Sequence, residues 1–372
     1  MDNSRTKQDT QVELQYLASL ICDYSAIKSN HSAEFAADWR RRSPQAKLER
    51  LDYHGITLLA DAKSTLSVDL ATACQQRRAM LAATETLKQQ ELRNLFSACR
   101  AAGLGNIILF KGTALAHTVY PQPWYRPRSD ADCLINPDAR ALAHQILTEQ
   151  GFAKHFAIEG RYVSYQSLYS KSLPGQSQIH IDLHWRINNR QCLSQAYTVE
   201  DLWPERQTID AHLAAPSNVD SLLIACLHRL GHHAREERLA WLYDIHLLSA
   251  TLDQYDWETL INKARQKSLC AVTLDALQAC AGLLGTQLPN TVLDSLSGAA
   301  EEPSAVFTRR DLPEWRYFLT DLRCMPSLRQ RMGLLRETFL PSPSYVRTQM
   351  QTSSATLGYL KRLWRGLKRV TS

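Results

Sequence analysis

Residues 106–135 read NIILFKGTALAHTVYPQPWYRPRSDADCLI, and this stretch decides the fold class of the chain. The apolar run at 106–110 predicts a short buried strand, and residues 111–120 predict a helix that begins directly behind it. A proline-rich loop at 121–128 precedes a second predicted strand at 129–135, which is polar at its entrance and apolar further on. The stretch therefore predicts a strand–helix–strand unit.

The flanking sequence extends this unit into a mixed block. Residues 70–102 carry apolar side chains at helical spacing with no Pro or Gly between them, which predicts a long helix. Behind the unit, residues 138–150 predict a helix, and residues 153–171 and 176–187 alternate in polarity as strands do. The whole pattern predicts a βαβαβββ block inside an otherwise helical chain, and hence an α+β fold.

The rest of the chain is predicted to be helical, and its 372 residues exceed the usual size of one core. Residues 13–62 predict short helices, one of them starting at Ser43-Pro44, where Pro loses no needed N–H group. Amphipathic runs from about residue 198 onward predict a helical C-terminal part. We expect three regions: helical 1–88, a core at 89–195, and a helical domain with a basic tail at 196–372.

Composition predicts a cytoplasmic protein without a disulfide framework. No apolar run approaches the roughly 18 residues of a transmembrane helix, and the N-terminus MDNSRTKQDTQVELQ lacks the apolar segment of a secretory signal. The nine cysteines are scattered and form no CxxC pair, which favours free thiols in a reducing compartment over a zinc knuckle.

The net charge of +6 is spread unevenly, with much of the excess behind residue 345. That tail contains no acidic residue and carries Arg347, Lys361, Arg362, Arg365, Lys368 and Arg369. Such a segment could contact a membrane surface, a nucleic acid or an acidic partner. The alternative is a last helix with a solvated basic face.

The sharpest chemical feature is the pair Asp130 and Asp132. Residues i and i+2 of a strand project to the same face, so both carboxylates would point to one place. Two hard oxygen ligands close together suit Mg²⁺, which binds one or two carboxylates together with phosphate oxygens and water. By itself a DxD pair is a weak signal, because many strands and turns contain one.

Two neighbouring features strengthen it. Lys111-Gly112-Thr113 lies where a strand ends and a helix begins, a place at which backbone N–H groups bind phosphates. Asp182 lies inside the apolar strand QIHIDLHWRI, where an acid is costly to bury without a cation or partner. Alternation places His180, His184 and Arg186 on its face. Three such carboxylates predict two-metal phosphoryl chemistry.

These motifs resemble those of a known family. The segments ILFKGTALAHTVYP, YRPRSDADCLI and IHIDLHWRI resemble the LKGxALxxxxYP, RpxxDxDLLV and xxDLHWxL signatures of the uncharacterised nucleotidyltransferase family within the DNA polymerase β-like superfamily. The resemblance continues over 39–60, WRRRSPQAKLERLDYHGITLLA, and 223–250, LIACLHRLGHHAREERLAWLYDIHLLSA. It implies a small mixed sheet with flanking helices, and transfer of a nucleoside monophosphate from an NTP such as ATP.

The resemblance also assigns residues. Asp130 and Asp132 match the metal-binding pair and Asp182 the third acid, with Mg²⁺ as the expected cofactor and Mn²⁺ as its substitute. Gly112 and Thr113 match the phosphate-binding turn. Three departures leave the site intact: Thr113 replaces the superfamily's Ser, the spacing from Gly112 to Asp130 is long, and Cys133 replaces an apolar residue.

Other residues keep two interpretations. Lys111 would reach a phosphate or only cap the end of the sheet. Arg126, preferred over Arg128, would bind the triphosphate, while the alternative is neutralisation of nearby acids. His184 would orient Asp182 or the substrate.

His228 and His232, four residues apart on a predicted helix, have a metal-chelating spacing, but helix packing is the favoured interpretation. Together with Asp244 they are candidates for lining the acceptor or nucleotide cleft between the two packed units that a chain of this length predicts.

The leading hypothesis is an enzyme in which an acceptor hydroxyl attacks the NTP and Asp182 acts as base. One alternative is a non-catalytic nucleotide-binding regulatory module, and another is a toxin-type tRNA nucleotidyltransferase. The NTP is one expected partner. The acceptor is open among a small molecule, a saccharide, a peptide or protein, and tRNA.

Overall fold

The computed structural model describes residues 3–22, 30–63, 66–158, 160–231 and 236–371. For residues 3–9, 30–32, 363 and 365–371 it describes the backbone only. Within the described ranges no helix is both long and apolar enough to cross a membrane. The structure contains no disulfide between any of the nine cysteines, and most of them are buried.

The N-terminal part consists of five helices: α1 (Asn3–Ser19), α2 (Asn30–Arg41), α3 (Pro44–His54), α4 (Thr57–Ala62) and α5 (Val68–Ala101). The predicted start of α3 is confirmed, since the Ser43 side chain accepts a hydrogen bond from the Ala46 N–H and Pro44 is the first helical residue. The helix ends at Gly55, whose φ of 67° lies in the left-handed region that favours glycine. The long helix predicted at 70–102 is also confirmed.

The predicted βαβαβββ block is confirmed as well. Its elements are β1 (Ile107–Phe110), α6 (Lys111–Thr118), β2 (Ala131–Ile135), α7 (Arg140–Glu149), β3 (Ala153–Lys154), β4 (Gln166–Ser172) and β5 (Gln178–His184). Two boundaries differ from the sequence prediction. Strand β2 begins at Ala131, so that Asp130 lies one residue before the strand.

The second difference is that the predicted strand at 153–171 is interrupted between β3 and β4. The backbone N–H groups of Arg161, Tyr162 and Val163 donate to the carboxylate of Glu337 at 2.8–3.2 Å. Because a side chain from the C-terminal part satisfies these donors, the segment needs no partner strand. Sequence alternation alone could not anticipate that contact.

The five strands form one mixed sheet with the order β1-β2-β5-β4-β3. Strands β2 and β5 are parallel, and the other neighbouring pairs are antiparallel. Within the parallel pair, Asp132 lies directly opposite Asp182. Neighbouring strands are roughly 5 Å apart, so this register by itself brings the two carboxylates together on one face.

Each face of the sheet packs against a different layer. Ile107, Leu109 and Cys133 join a core with Leu95 of α5 and Ile146 of α7. The opposite face contributes Ile108, Phe110 and Leu134 to a larger core, which it shares with α1 and α3 and with the C-terminal helices. The acidic pair lies on this second side, next to Phe110.

The C-terminal part is mostly helical, with a short hairpin near its start. Its elements are α8 (Gln191–Ser194), α9 (Val199–Leu202), β6 (Gln207–Thr208), β7 (Ala214–Ala215), α10 (Asn218–Gly231), α11 (Leu239–Thr251), α12 (Gln254–Gln266), α13 (Cys270–Leu284), α14 (Asn290–Leu296), α15 (Glu314–Cys324), α16 (Leu328–Phe339), α17 (Pro343–Gln349) and α18 (Ala355–Thr371). The helices predicted from residue 198 onward are thus present. The mixed α+β class is confirmed.

Candidate active site

Asp132, Asp182 and His184 form the centre of the candidate site. The His184 Nε2 atom lies 2.9 Å from Asp132 Oδ1 and 3.2 Å from Asp182 Oδ2. All three residues are buried, and one ligand atom from each lies within 4.8 Å of the others. Two carboxylates and an imidazole at these separations can hold a divalent cation.

Asp130 lies beside this group without belonging to it. It is half-buried just before β2 and accepts a hydrogen bond from Ser129 Oγ at 3.2 Å. Burial raises the pKa of its carboxyl, and the neighbouring charges of Asp132 and Asp182 raise it further. Such mutual repulsion is relieved when a cation binds near the acids.

Lys111 forms an ion pair with Asp132. Its Nζ lies 2.8 Å from Asp132 Oδ1, and its φ of 55° is in the left-handed region although it is not glycine. Burial alone would raise the pKa of Asp132, but Lys111 and the hydrogen bond from His184 hold it well below its ordinary value. Lys111 therefore keeps Asp132 ionised, a role beyond the two predicted interpretations of phosphate contact and sheet capping.

Gly112 and Thr113 take separate positions in the turn that follows β1. Gly112 lines the cleft, where an added Cβ would lie 3.6 Å from the Arg126 guanidinium. Thr113 is fully buried, donates from Oγ1 to the Asp130 carbonyl at 3.0 Å and accepts from Arg128 Nε at 3.0 Å. Its hydroxyl thus fixes the backbone of Asp130 and does not line the cleft.

Arg126 and Asp244 form a buried two-point ion pair. The Arg126 Nε and Nη2 atoms donate to the two carboxylate oxygens at 2.7 and 2.8 Å, and the Tyr120 hydroxyl donates to the same carboxylate. Burial disfavours the charged guanidinium, yet the pair with Asp244 raises the pKa of Arg126 above its ordinary value. Asp244, predicted as a cleft residue, therefore anchors Arg126 from behind.

Arg128 is also paired with a buried acid. Its guanidinium contacts Glu85 of α5, and it donates to the carbonyls of Pro123 and Arg126. Although burial raises the pKa of Glu85, the adjacent His117 and Arg128 lower it to about 2. Arg128 thus ties the loop before β2 to the long helix.

A cleft of about 660 Å³ opens over the acids. It contains Asp130, Asp132 and Asp182 together with Lys111, Gly112 and Arg126. Its other wall comes from the helical parts and includes Tyr53, His54, His228, Arg238 and Trp241. Most of the predicted site residues therefore line one cavity, whereas Thr113, His184 and Asp244 are not part of its lining. The volume of the cavity is typical of a small-molecule site.

Two histidines of the cleft region were predicted from the α10 segment. His228 lines the cleft, and its ring meets Trp241 edge-on at 5.9 Å. His232 lies outside the described residues. The third residue of that prediction, Asp244, is placed by its pair with Arg126.

The strand residues predicted to share the face of Asp182 separate from one another. His184 bridges the acids, whereas His180 lines a small neighbouring cavity with Asp130 and Lys88. Arg186 follows the end of β5 and stacks over the Tyr165 ring at 4.4 Å. Alternation holds only within the strand, so it did not govern Arg186.

Gln166 is a residue of the site that the sequence did not reveal. Its Nε2 donates to Asp182 Oδ2 at 2.6 Å, and its Oε1 accepts from Asn189 at 3.1 Å. It reaches Asp182 because β4 pairs with β5, a relation that no short motif in the sequence encodes. Arg238 was equally unassigned, although it lies within the 223–250 segment that carries the family resemblance.

One buried atom indicates where a cation fits. Asp182 Oδ1 is buried and accepts no hydrogen bond from any described residue, while its second oxygen is bonded to Gln166. A carboxylate oxygen in such surroundings is costly unless it ligates a cation. The donor set around Asp182 thus fits a hard divalent metal ion.

Comparison with known proteins gives the class of the molecule. Residues 36–285 match the model of a family described as uncharacterised nucleotidyltransferase. The match includes the sheet, the acids and the cleft wall up to α13, so the chain belongs to this nucleotidyltransferase family. No curated protein matches the chain.

Proposed function

We propose that the protein is a metal-dependent nucleotidyltransferase that moves a nucleoside monophosphate from an NTP to a hydroxyl acceptor. The observation that carries this proposal is the pairing of Asp132 with Asp182 across two parallel strands, at the base of a cleft that also contains Lys111 and Gly112. The family match supports the same reaction class. We further propose that the mixed sheet is a polymerase β-like core.

The three acids would have different roles, because their surroundings differ. Asp132 and Asp182 would hold Mg²⁺, or Mn²⁺ in its place, and Asp130 would join them when the nucleotide is bound. Bound there, the cation neutralises triphosphate charge and lowers the pKa of the attacking hydroxyl. His184 fixes the orientation of Asp132 and Asp182 through its hydrogen bonds to both.

The reaction is balanced without further reagents. The acceptor oxygen forms a bond to the α-phosphorus, the bond from that phosphorus to the bridging oxygen breaks, and pyrophosphate leaves. Asp182 takes the proton of the acceptor hydroxyl. Rate enhancement arises mainly from in-line positioning and from neutralised charge, as is usual for phosphoryl chemistry.

The cleft residues would supply the nucleotide site. The backbone of Gly112 lies open to the cleft at the start of α6, where N–H groups and the helix dipole favour phosphate oxygens. The ammonium group of Lys111 pairs with Asp132. With a cation at the acids, this ammonium group would be able to leave Asp132 and contact a phosphate oxygen instead. Arg126 contributes its positive charge from its fixed position beside Gly112.

The proposal is tested by incubating purified protein with each radiolabelled NTP, Mg²⁺ or Mn²⁺ and a cell extract, and by following pyrophosphate release and labelled acceptors. The variants Asp132→Asn and Asp182→Asn should each lower transfer by at least about 1,000-fold, as removal of major charge-stabilising groups does. The matched control is Asp138→Asn, which changes an exposed acid outside the cleft.

A second measurement follows the cation itself. Titration with Mn²⁺, observed by electron paramagnetic resonance, should show a site in the wild type and the control that is absent from Asp182→Asn. Full transfer activity in the double variant Asp132→Asn/Asp182→Asn would overturn the proposal.

A further inference from the structure

The cationic side chains of the cleft differ in whether a buried carboxylate pairs with them. Among the described residues that line it, Lys111 pairs with Asp132, Arg126 with Asp244, and Arg128 with Glu85, each through a buried carboxylate. Arg238, the residue directly before α11, has one ion pair within the described part of the chain, with Glu236 at 3.5 Å, and both of these side chains are substantially exposed. An exposed ion pair of that length contributes little.

Arg238 is nevertheless held in a defined position. Its Cζ lies 4.8 Å from the centroid of the Tyr53 ring and 5.5 Å from that of Trp241, so the guanidinium is flanked by two aromatic side chains of the cleft wall. Stacking of this kind leaves the edge of the guanidinium available for hydrogen bonds. Its Nε is buried and has no hydrogen-bond partner among the described residues.

A planar, pre-positioned guanidinium whose only ion pair is long and exposed to solvent is a donor group that binds phosphate oxygens at two points. The wall that contains it and the acids face the same cavity of about 660 Å³. The negative charge of a polyphosphate chain extends beyond the oxygen atoms that a metal ion at Asp132 and Asp182 would contact. The position of Arg238 on the wall of the same cavity therefore indicates which part of a ligand it contacts.

We propose that Arg238 binds the terminal phosphates of the NTP, the part that leaves as pyrophosphate, with Tyr53 and Trp241 holding its side chain. This inference rests on the proposed function, because it assigns one end of the same substrate. It gives the helical wall a direct role in ligand binding.

The test is calorimetric titration, in the presence of Mg²⁺, with ATP, with inorganic tripolyphosphate and with AMP. The variants Arg238→Gln and Arg238→Met should each weaken binding of ATP and tripolyphosphate about 10- to 100-fold. AMP, which lacks the terminal phosphates, should bind the variants and the wild type with affinities within about twofold. Arg238→Met retains an apolar stem between the two rings, so it guards against loss of packing.

The matched control is Arg206→Gln, which removes an arginine stacked on Trp203 at 4.0 Å outside the cleft. Unchanged tripolyphosphate affinity in both Arg238 variants, with activity still dependent on Asp182, would overturn this inference and leave the proposed function standing. A wild type that binds neither ATP nor tripolyphosphate would overturn both. An equal loss of AMP affinity would assign Arg238 a structural role instead and also overturn the inference.

A second, independent observation concerns α18. Its inner side is fixed to the body of the protein: Gly358 packs against Val346, the Tyr359 hydroxyl donates to the Pro341 carbonyl at 2.6 Å, and Arg362 donates to the Thr338 carbonyl at 3.0 Å. An amphipathic surface helix normally turns its apolar side inward. Among the side chains of α18 that the structure describes, those that contact the body are polar or small.

Three large apolar side chains in the described part of α18 are exposed. Leu357, Leu360 and Trp364, at helical spacing, are 46%, 59% and 59% exposed. Phe339 and Leu340, adjacent to the residues that anchor Tyr359 and Arg362, are also exposed. Residues 355–371 carry five basic and no acidic residues, and Lys361 lies exposed beside the apolar stripe.

We infer that this surface docks on an anionic lipid bilayer. Aliphatic and tryptophan side chains bordered by lysine and arginine match an acyl boundary beneath negatively charged headgroups. Charge complementarity together with the exposed apolar side chains favours a bilayer over an acidic protein, because a bilayer offers an apolar layer as well as negative charge.

Vesicle co-sedimentation tests the inference. The full-length protein should bind vesicles of phosphatidylglycerol and phosphatidylcholine in equal parts, and lose binding in high salt or on pure phosphatidylcholine. Leu360→Ser/Trp364→Ser and Lys361→Glu should each weaken binding at least about fivefold. The control Val68→Ser/Met80→Ser removes two exposed apolar side chains of α5 and should bind like the wild type.

Three results would overturn it. The first is no binding to anionic vesicles. The second is a concentration-dependent dimer, seen by light scattering, that Leu360→Ser/Trp364→Ser dissociates while vesicle binding stays unchanged, because a second copy would then cover the stripe. The third is binding of polyglutamate in preference to anionic vesicles, which would indicate an acidic polypeptide partner.

Discussion

Arg126 and Asp244, 118 residues apart in the chain, are joined by two hydrogen bonds that link the loop before β2 to helix α11. The pair is buried, and it also receives the Tyr120 hydroxyl. It therefore connects the sheet that holds the acids to the helices that form the other wall of the cleft. Stability of the cleft depends on this contact.

Asp244→Asn should lower the free energy of unfolding by about 3–5 kcal/mol, because it leaves the Arg126 guanidinium buried without a counter-charge. Urea denaturation measures this. Asp38→Asn is the control, since it removes a surface partner of Arg42 and should change stability by less than about 1 kcal/mol. An Asp244→Asn protein as stable as the wild type would show that the pair does not hold the two parts together.

Gln166→Leu should reduce divalent-cation affinity and the rate of transfer about 10- to 100-fold while the chain remains folded. Gln166 donates to Asp182 Oδ2 and so directs the second oxygen of that carboxylate. Mn²⁺ titration and kcat report the change, and Ser167→Ala, on the same strand, is the control. Unchanged Mn²⁺ affinity in Gln166→Leu would exclude this orienting role.

His54 makes stability depend on pH. Burial is the main cause that lowers its pKa to about 4, with Arg50 and Arg238 adding to the shift and Glu13 and Glu237 opposing it. The folded state thus binds fewer protons at this residue than the unfolded chain, whose histidine titrates near 6.5. The stabilisation from His54 is complete above pH 6.5 and is lost as pH falls toward 4, by about 3 kcal/mol.

His54→Leu should flatten the fall in unfolding free energy between pH 6.5 and 4, measured by urea denaturation at a series of pH values. The control His155→Gln removes an exposed histidine. If His54→Leu loses stability as steeply as the wild type over that range, another group is responsible.

Gly55→Ala should destabilise the protein more than Gly103→Ala. Both glycines have a positive φ, which costs an alanine about 1–2 kcal/mol. At Gly55 the added Cβ would also lie 3.0 Å from Ala240 Cβ, whereas at Gly103 it meets nothing within 4 Å. The difference between the two midpoints of thermal unfolding isolates the contact that brings Tyr53 and His54 against α11. Equal decreases in the two midpoints would mean that the neighbouring Ala240 side chain moves away from the added Cβ at little cost.

Much of the local structure was predictable from sequence. The strand–helix–strand unit at 106–135, the helix start at Ser43-Pro44 and the strand that contains Asp182 follow from periodicity and capping, which involve residues within a few positions of one another. The family resemblance added the acids and the phosphate turn. The structure forms a mixed sheet and places the three acids in the lining of one cleft.

The partners of the site residues were decided only by the tertiary structure. Arg126 was expected to bind triphosphate and is paired with Asp244, Thr113 supports the backbone of Asp130, and Gln166 reaches Asp182 from β4. Arg238 differs from the other three cationic residues of the cleft because each of those pairs with a buried acid.

By itself the sequence determined which local elements form and which residue types they present. The packing of distant elements determined which charges are neutralised and which remain available to a ligand. The physical reason is the separation along the chain over which each interaction acts. Helix and strand patterns depend on neighbours in the chain, whereas ion pairing and burial depend on which elements meet in space.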